Sequence, residues 1–398
     1  MRFAVLALFL TPVFAAQIPA GTEISIRLND KVASEAPVPA GVIHASVIAP
    51  VVVEGRILLP AGPVLNGVVK LAKPAQDTER AQLQLVFTEV TDGHVKAPVS
   101  AVVSGLENAR ETVDEKGVIL GIDASQAYGT RLSQGIAKLQ ANDKLAGLAG
   151  ILAGAKQTLK IGDVNANIDY DAGTELRVKL TAPLNWAGVT TGPESKLLPF
   201  PNEAALPALV SRQPFRTVAE NPPRPSDITN LMFIGTEQEI RTAFEKAGWT
   251  PAARLNASTK METARALIED RGYKEGPMSI LLLDGRPPDM ALQKGNNTFA
   301  SRHHLRIFRR PDTFAGKPVW VCSSTHDTGI SFSERDRTFI HKVENRIDME
   351  RGKIVADLLF TGLVKSIALV GRPEVPESIE NATGDVLETD AAMAVILF

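Results

Sequence analysis

The residue types that carry most protein chemistry are concentrated in one stretch of the sequence, residues 285–351. This stretch contains the only cysteine, Cys322, and four of the six histidines, at positions 303, 304, 326 and 341. Imidazole exchanges a proton near neutral pH, so a histidine paired with a carboxylate could act as a general acid or base. On this basis the candidate catalytic residues are His304, His341, Asp327 and Arg351.

The arginines of the same stretch could bind an anion, because the planar guanidinium donates two parallel hydrogen bonds to a carboxylate or a phosphate. The candidate ligand-binding residues are Arg286, Asp289, Arg302, His303, Arg306, Asp348 and Glu350. A purely structural alternative stays open, in which arginine, aspartate and histidine side chains form a buried network that fixes loops and binds nothing.

Arg351 bears directly on the choice between a ligand site and a structural network. It falls in the first turn of a predicted helix, where a positive charge opposes the helix macrodipole. A residue placed against its local preference needs a compensating partner. We therefore expect Arg351 to contact an acidic side chain (Asp289, Asp327 or Asp348) or a bound anion.

No metal site is predicted, and the sequence names no cofactor. The histidines do not follow a short metal-binding motif such as two histidines one helical turn apart. If residues 302–308 form a strand, His303 and His304 point to opposite faces and cannot both reach one ion without a bulge. One of the two would then lie with Leu305 and Ile307, and the other with Arg306.

The potential nucleophiles of the stretch are predicted to be inert. The sequence Ser323-Ser324-Thr325-His326 lacks the glycines of a nucleophile elbow. Cys322 alternates with Trp320 in an apolar strand, so we expect a buried thiol rather than a reactive one.

The composition is that of an ordinary globular protein, long enough for two or three domains. The chain has 398 residues, a net charge of −2 and 44 % hydrophobic residues. The near balance of charge argues against a nucleic-acid-binding protein that depends on a broad basic surface. A single cysteine excludes a disulfide framework within the chain and a zinc cluster built from thiolates.

The first residues have the order of a secretory signal peptide. Arg2 is followed by an apolar run, Phe3–Leu10, and then by small residues around Ala15. We predict cleavage after Ala15 and a mature chain that is periplasmic or secreted. No transmembrane segment is expected in that chain, because no later apolar run reaches about 18 residues. An N-terminal strand is the alternative interpretation.

Residues 17–184 are predicted to form an all-β, barrel-like domain. Runs of alternating polar and apolar residues, separated by Pro-Ala-Gly and Asp-Gly turns, are typical of half-buried strands. Segments 20–28 and 172–180 both begin with Ala-Gly-Thr-Glu and then alternate, as the first and last strands of a closed sheet would. A chance similarity between two edge strands is the alternative.

A helical insertion is predicted inside this domain, at about 123–157. Apolar residues recur there at a spacing of three or four, which indicates one or two amphipathic helices. They stand at Leu132, Ile136, Leu139, Leu145, Leu148, Ile151 and Leu152. The apolar stripe could face a partner or a membrane, or it could pack on its own domain.

The turns of the first half carry a further signal. Pro-Ala-Gly stands at 19–21, 39–41 and 60–62, each next to a predicted strand, and Asp92-Gly93 follows. In this order they resemble the barrel of the TrbI/VirB10-type proteins of conjugation and type IV secretion. The resemblance implies a small β-barrel and points to envelope or secretion-related proteins as possible partners. No nucleic-acid partner is expected.

Residues 185–226 are predicted to be a proline-rich linker, because proline removes backbone donors and resists regular structure. Residues 227–398 are predicted to be an α/β domain with a mixed sheet, since strand and helix patterns alternate there. One helix should start at Thr236, with Glu239 completing a capping box. Another should cover Ile347–Leu359, with Asp348 as its N-cap.

A series of short motifs runs through this second half. They are Asn230–Gly235, Ala243–Pro251, Gly285–Pro287 with Asp289 and Gln293, Arg302–Arg306, Trp320, Thr325 with Asp327 and Gly329, and His341 with Asp348–Arg351. In this order they resemble the LssY C-terminal domain family, from which His326 and Glu344 depart. That resemblance implies an envelope setting, since the domain often stands beside membrane phosphatase-like modules, but it implies no settled activity.

Two functions fit these observations. The first is an envelope-associated protein whose second domain binds a ligand or a protein partner. The alternative is a hydrolase that acts on a phosphate-bearing or ester substrate of the envelope, using His304 or His341 with Asp327 and the arginines.

Overall fold

A computed structural model describes the chain over residues 17–35, 41–76, 79–126, 128–142, 145–162, 164–188, 196–253, 257–273, 276–333 and 338–398. The strands of the first half are β1 Gln17–Ile18, β2 Glu23–Leu28, β3 Val32–Ala33, β4 Val42–Val47, β5 Val51–Val53, β6 Arg56–Leu59, β7 Val64–Lys73, β8 Gln82–Asp92, β9 Val95–Leu106, β10 Thr112–Val113, β11 Val118–Leu120, β12 Asp169–Tyr170, β13 Glu175–Leu180 and β14 Leu184–Asn185. The predicted signal peptide lies outside the described residues.

Six strands of the first half close into a barrel, as predicted. Neighbours pair in the order β8-β7-β4-β2-β13-β9, and β9 pairs back with β8. The two echoing segments are β2 and β13, which pair antiparallel with each other. Gly21 and Gly173 precede them at φ +85° and +97°, a backbone conformation that glycine adopts without strain. The two similar segments are therefore a repeated turn-and-strand unit, located where the first and last strands of the barrel pair.

The helical insertion consists of two helices between β11 and β12. They are α1 Tyr128–Gln140 and α2 Ala146–Thr158, preceded by a 3-10 turn at Ala124–Gln126. The apolar side chains of α2 do not all pack inward: Leu148 is 48 % exposed and Ile151 is 70 % exposed. Part of the predicted apolar stripe therefore stays uncovered in the described structure.

The second half is built around a ten-stranded mixed sheet. Its strands and those that follow are β15 Arg216–Ala219, β16 Arg224–Ile234, β17 Thr250–Pro251, β18 Leu281–Leu282, β19 Met290–Lys294, β20 Arg302–Phe314, β21 Lys317–Ser333, β22 Thr338–Val343, β23 Ser366–Gly371, β24 Ser378–Glu380, β25 Val386–Glu388 and β26 Ala392–Leu397. The helices are α3 Leu206–Ser211, α4 Glu237–Lys246, α5 Ala257–Ile268 and α6 Ile347–Phe360, with a 3-10 turn at Glu203–Ala205.

Helices cover both faces of this sheet. The main path runs β17-β19-β20-β21-β16-β15-β18, and β26 joins it parallel to β16. Phe233 of β16 packs in a core with α4 and α6, whereas its neighbour Met232 packs in a second core with α3. Successive side chains of a strand point to opposite faces, so one apolar strand serves both cores.

The sheet begins inside the segment that was predicted to be a linker. Residues 206–211 form α3, and β15 and the start of β16 also lie before residue 227. Pro207 stands in the first turn of α3 and Pro225 near the start of β16, positions where a missing N–H is tolerated. These two prolines therefore lie near the starts of regular elements and do not indicate irregular chain.

The predicted helix starts were right for α4 and wrong for α6. Thr236 accepts a hydrogen bond from the backbone of Glu239, and the Glu239 side chain returns to the backbone of Thr236, which is the predicted capping box. The N-cap of α6 is Arg346, not Asp348. Asp348 lies inside the first turn, where its carboxylate accepts from Arg351 instead of capping the helix. In the described part of the chain, no helix has the length and apolar character needed to cross a bilayer.

Candidate functional site

The hairpin of β20 and β21 positions most of the candidate side chains. His303 lies opposite His326 in the register, and Arg302 lies opposite Asp327. His303 and His304 point to opposite faces, as predicted for consecutive residues of a strand. The two faces of the sheet carry two separate polar clusters. His304 belongs to one, and His303, on the face that contacts the barrel, belongs to the other.

The first cluster surrounds His304. Its Nε2 lies 2.7 Å from Asp327 Oδ1, and Arg302 Nε donates to Asp327 Oδ2 at 3.4 Å. Arg306 donates to the carbonyl oxygen of Ser279 at 3.0 Å. All four ionisable side chains are buried. Burial lowers the pKa of His304 despite the neighbouring carboxylate, which favours a neutral imidazole.

The remaining predicted residues fall in three other places. Arg351 forms ion pairs with Asp348 at 2.9 Å and with Asp390 at 2.6 Å, so one of its three expected partners is correct and a second was missed. Arg286 and Asp289 are exposed, and Asp289 accepts from the backbone of residue 309 at 2.7 Å. The backbone of His341, in β22, pairs with that of Ile330, in β21. The side chain of His341 lies outside the described part.

The catalytic and ligand-binding roles of these residues stay predictions. The structure brings His304, Asp327, Arg302 and Arg306 together, and it places Glu350 beside His303 instead. Arg351 is held by Asp348, in the first turn of its own helix, and by Asp390, which lies just before β26. The described side chains of the predicted residues therefore do not form one site.

The second cluster lies where the sheet meets the barrel, and His303 is its centre. His303 Nδ1 lies 2.7 Å from Glu350 Oε2 of α6, and His303 Nε2 lies 3.0 Å from Glu107 Oε1. Glu107 directly follows β9, so this histidine bridges the two halves of the chain. His326 stacks on His303 with ring centroids 4.2 Å apart, and its Nε2 lies 2.8 Å from Asn108 Oδ1.

In the bridge formed by Glu350, His303 and Glu107, the opposite charges stabilise one another. Burial alone lowers the pKa of His303, but the carboxylates of Glu350 and Glu107 outweigh it and raise the pKa to about 9. Burial also opposes ionisation of Glu107, and the hydrogen bond and charge of His303 outweigh it and lower the pKa of that carboxyl. His326 has its pKa lowered, first by burial and then by the charge of His303.

A buried ion-pair cluster adjoins the bridge. Glu175 of β13 accepts from Arg27, Lys294 and Lys353, each at 2.6 Å. Asp357 of α6 accepts from Lys294 and Lys353, each at 2.9 Å. Arg27 and Glu175 belong to the barrel and the other three residues to the second half, so the cluster ties the halves together by charge.

The electrostatics of this cluster follow from burial against charge. Burial opposes ionisation of Glu175, but the three cations hold the pKa of its carboxyl well below the usual range. Burial likewise opposes the charge of Lys353, and Asp357 and Glu175 outweigh it and raise its pKa. Lys294 differs, since burial there is the stronger effect and its pKa is lowered. Each charge in the cluster has an opposite charge within hydrogen-bond distance.

A small cleft opens beside the ion-pair cluster. Its lining includes Glu107, Glu175 and Arg177 from the barrel and Lys353 and Asp357 from α6, and its volume is about 80 Å³. A water molecule needs roughly 10–15 Å³ of such space, so the cleft can hold an ion with several waters or a small molecule. The side chain of Glu107 is 29 % exposed, which gives the bridge access to solvent.

Potential metal ligands also meet at the bridge. Glu107, His303 and His326 each offer one ligand atom, and these atoms lie within 4.8 Å of one another. The sequence predicted no metal site, because the histidines follow no short motif and the consecutive pair His303 and His304 points to opposite faces. The second histidine comes instead from the opposite strand of the hairpin.

Sequence reasoning missed the barrel side of this site. Glu107 and Glu175 lie in or next to alternating strands, where an acidic residue looks like an ordinary solvent-facing position. His326 carried a signal of its own, since it departs from the residue types common in the resembling family. Lys294 and Lys353 had none, because long basic side chains are common on strand ends and helix surfaces.

One comparison with known proteins bears on the second half. Residues 212–393 match the family model described as LssY C-terminus, which supports the resemblance predicted for that half. No curated protein matches the chain. Among solved structures, it is similar to ComB10 of the Com type IV secretion system of Helicobacter pylori, at 15 % identity over 42 % of this chain and 90 % of that one, with a TM-score of 0.23. A TM-score this low does not establish a shared fold, and secretion-related partners stay a prediction.

Proposed function

We propose that this protein is an envelope-associated binding protein that holds a small polar ligand between its barrel and its LssY-like half. The observation that carries the proposal is the bridge between Glu107 and His303, at 3.0 Å, beside a cleft with lining residues from both halves. Binding sites concentrate where two structural units meet, because side chains from both can converge there.

The character of the cleft supports a polar ligand. Five ionisable side chains line it, and both signs of charge are present. Buried charges are held by fixed partners in this region, so a ligand would enter a site that is already organised and would pay little to order it. An apolar ligand would leave these groups without water and is disfavoured.

Native mass spectrometry tests the proposal even though the ligand is unidentified. Protein isolated from the envelope fraction should carry an additional mass, which is released on denaturation. Glu107→Gln removes the charge of the bridge at nearly constant shape and should lose that mass. Glu115→Gln changes an exposed carboxylate elsewhere on the barrel and should keep it. A wild-type protein without any adduct contradicts the proposed function.

The envelope location is proposed from the N-terminal sequence. Arg2, the apolar run Phe3–Leu10 and the small residues around Ala15 have the order that signal peptidase substrates share. Fractionation of cells that produce the chain, followed by N-terminal sequencing, should give a mature protein beginning at Ala16. An unprocessed chain in the cytoplasmic fraction would refute this part of the proposal.

Hydrolysis is the second candidate, and one contact favours it. His304 and Asp327 lie 2.7 Å apart, as a general base and its orienting carboxylate do. Both side chains are buried, however, so water and substrate reach them only if the sheet opens. A panel of phosphate monoester, diester and carboxylic ester substrates, tested on the wild type and on His341→Ala and Asp327→Asn, decides the matter. Activity that the substitutions abolish favours the hydrolase; equal rates, or none, favour binding.

A further inference from the structure

We propose that the junction site binds a divalent first-row transition metal ion through Glu107, His303 and His326. This inference rests on the proposed function, because it names the ligand class of the same site. Two imidazoles and one carboxylate form a ligand set that suits zinc, iron or manganese. Calcium and magnesium prefer oxygen ligands throughout and are disfavoured at a site with two nitrogens.

The three side chains are close enough to share one ion. Their ligand atoms lie within 4.8 Å of one another, and His303 Nε2 is 3.0 Å from Glu107 Oε1. Two ligands at about 2.0–2.1 Å from a tetrahedral zinc ion lie roughly 3.4 Å apart. The contact of 3.0 Å lies below that value and the limit of 4.8 Å lies above it, so side-chain rotation, above all that of the His326 ring, brings the three ligands to one ion.

Each histidine is also oriented as a metal ligand usually is. The ring nitrogen that faces away from a metal commonly donates to a carboxylate or a carbonyl oxygen, which fixes the tautomer. Here His303 Nδ1 faces Glu350 Oε2 at 2.7 Å, and His326 Nε2 faces Asn108 Oδ1 at 2.8 Å. These contacts leave Nε2 of His303 and Nδ1 of His326 as the electron-pair donors.

Glu350 gives an independent indication of added positive charge at this place. It is 3 % exposed, and its Oε1 has no hydrogen-bond partner among the described residues. A half-satisfied buried carboxylate is costly unless a nearby cation stabilises it. A metal ion on the far side of His303 would polarise the imidazole and strengthen its bond to this carboxylate.

Binding requires two local changes. The ion replaces the proton that His303 Nε2 shares with Glu107, since ligands bind metal in their deprotonated form. The ring of His326 leaves its stack on His303, because a metal ion lies in the plane of the imidazole that ligates it. Three protein ligands also leave a coordination position open for water or a small anion from the cleft that Glu107 lines.

The test uses zinc and cobalt as probes on protein freed of metal by a chelator and dialysis. Titration calorimetry should show one zinc ion bound per chain, and cobalt should give a visible absorption band that zinc displaces. His326→Gln and Glu107→Gln should lose both signals. Glu350→Gln should weaken zinc binding by about 10–100-fold, the usual effect of removing a partner that orients a ligand.

His94→Gln is the matched control, since it removes an exposed imidazole from the barrel and should bind zinc like the wild type. His303→Gln is informative only if the variant folds, as circular dichroism can show. His326→Gln and Glu107→Gln change partly exposed side chains, so they carry the test in either case. Zinc binding that is absent from the wild type, or unchanged in both of these variants, overturns the inference.

Native mass spectrometry separates this inference from the proposed function. A metal adduct that Glu107→Gln loses supports both. An organic adduct without metal, lost in the same variant, leaves the proposed function standing and overturns the metal site. The absence of any adduct, before and after addition of zinc, overturns both.

Discussion

Two adjacent histidines in β20 show that partners decide protonation when burial is equal. His303 is 3 % exposed and His304 is 7 % exposed. Burial disfavours the charged form of each ring. Two carboxylates outweigh burial at His303, whose pKa rises to about 9. At His304 the single carboxylate of Asp327 does not outweigh burial, to which the nearby arginines add, and the pKa is lowered. The alternation of the strand is therefore also an alternation between a charged and a neutral ring.

At the same scale, Asp327 is expected to matter for stability whatever the protein binds. Asp327→Asn keeps the shape of the side chain but removes the charge that balances Arg302 and orients His304. Breaking a buried ion pair on one side costs about 3–5 kcal/mol, because the other charge is left without compensation. Urea denaturation should show this loss as a lower midpoint with an unchanged slope.

Asp289→Asn is the control for that measurement. Asp289 is exposed and accepts one backbone N–H, so its substitution should cost no more than about 0.5–1.5 kcal/mol. Equal losses in the two variants would mean that the Asp327 network is solvated and adds little to stability.

At the scale of elements, the capping box of α4 gives a prediction that depends on pH. Burial opposes ionisation of Glu239, but hydrogen bonds from Lys317 and Thr236 outweigh it and lower the pKa to about 2 from 4.5. The stabilisation from this carboxylate is therefore complete above pH 4.5 and is lost as the pH falls towards 2. Glu239→Ala should cost about 1 kcal/mol at pH 7, the typical value for a lost cap, and progressively less below pH 4.5.

Glu245→Ala, an exposed position near the end of the same helix, controls for the intrinsic preference of alanine. Thermal melts of the three proteins between pH 2 and pH 7 give the comparison. A cost of Glu239→Ala that does not change with pH would show that the carboxylate acts only as a neutral acceptor.

Local pattern was enough to predict several of the longer elements. Alternation predicted β2 and β13, and their shared Ala-Gly-Thr-Glu start predicted a closed sheet, because both signals are contained within a few consecutive residues. The capping box at Thr236 was found for the same reason. The helix start at Asp348 was misjudged because Asp348 prefers a partner outside the helix backbone, the arginine one turn on.

The register of β20 and β21 could not be predicted in this way. At the turn, Phe314 pairs with Lys317, and that register alone would place Thr328 opposite His303. An irregularity between residues 309 and 313 shifts the pairing by two, and His326 takes that place. Pro311 and Pro318 lie in this region and cannot donate to the ladder, which accounts for the break. The histidine pair depends on this shift.

At the scale of the whole molecule, the candidate site depends on contacts across very long separations. His303 and Glu107 are 196 residues apart, and Lys353 and Glu175 are 178 residues apart. No local pattern relates such positions, because each half satisfies its own periodicity without the other. The sequence pointed to His303 and Glu350 in the second half, but it gave no signal for Lys294 and Lys353, and the carboxylates of the barrel resembled ordinary surface residues.

This arrangement places Glu175 at the centre of the charge contacts between the two halves. Three cations, Arg27, Lys294 and Lys353, contact its carboxylate, and Asp357 is the second carboxylate among them. Glu175→Gln leaves three positive charges against one negative charge at a buried junction. Repulsion there should loosen the barrel from the sheet while leaving each core intact.

We therefore expect the wild type to unfold in one calorimetric transition and Glu175→Gln to unfold in two. Amide exchange should rise in β13 and α6, the two elements whose side chains meet at the junction, and stay unchanged in the sheet core around Phe233. Glu23→Gln is the matched control, because Glu23 lies on the neighbouring strand β2 with an exposed side chain whose ion pair to Arg177 is 3.8 Å long. A single transition shifted equally in both variants would mean that apolar packing, rather than this cluster, holds the halves together.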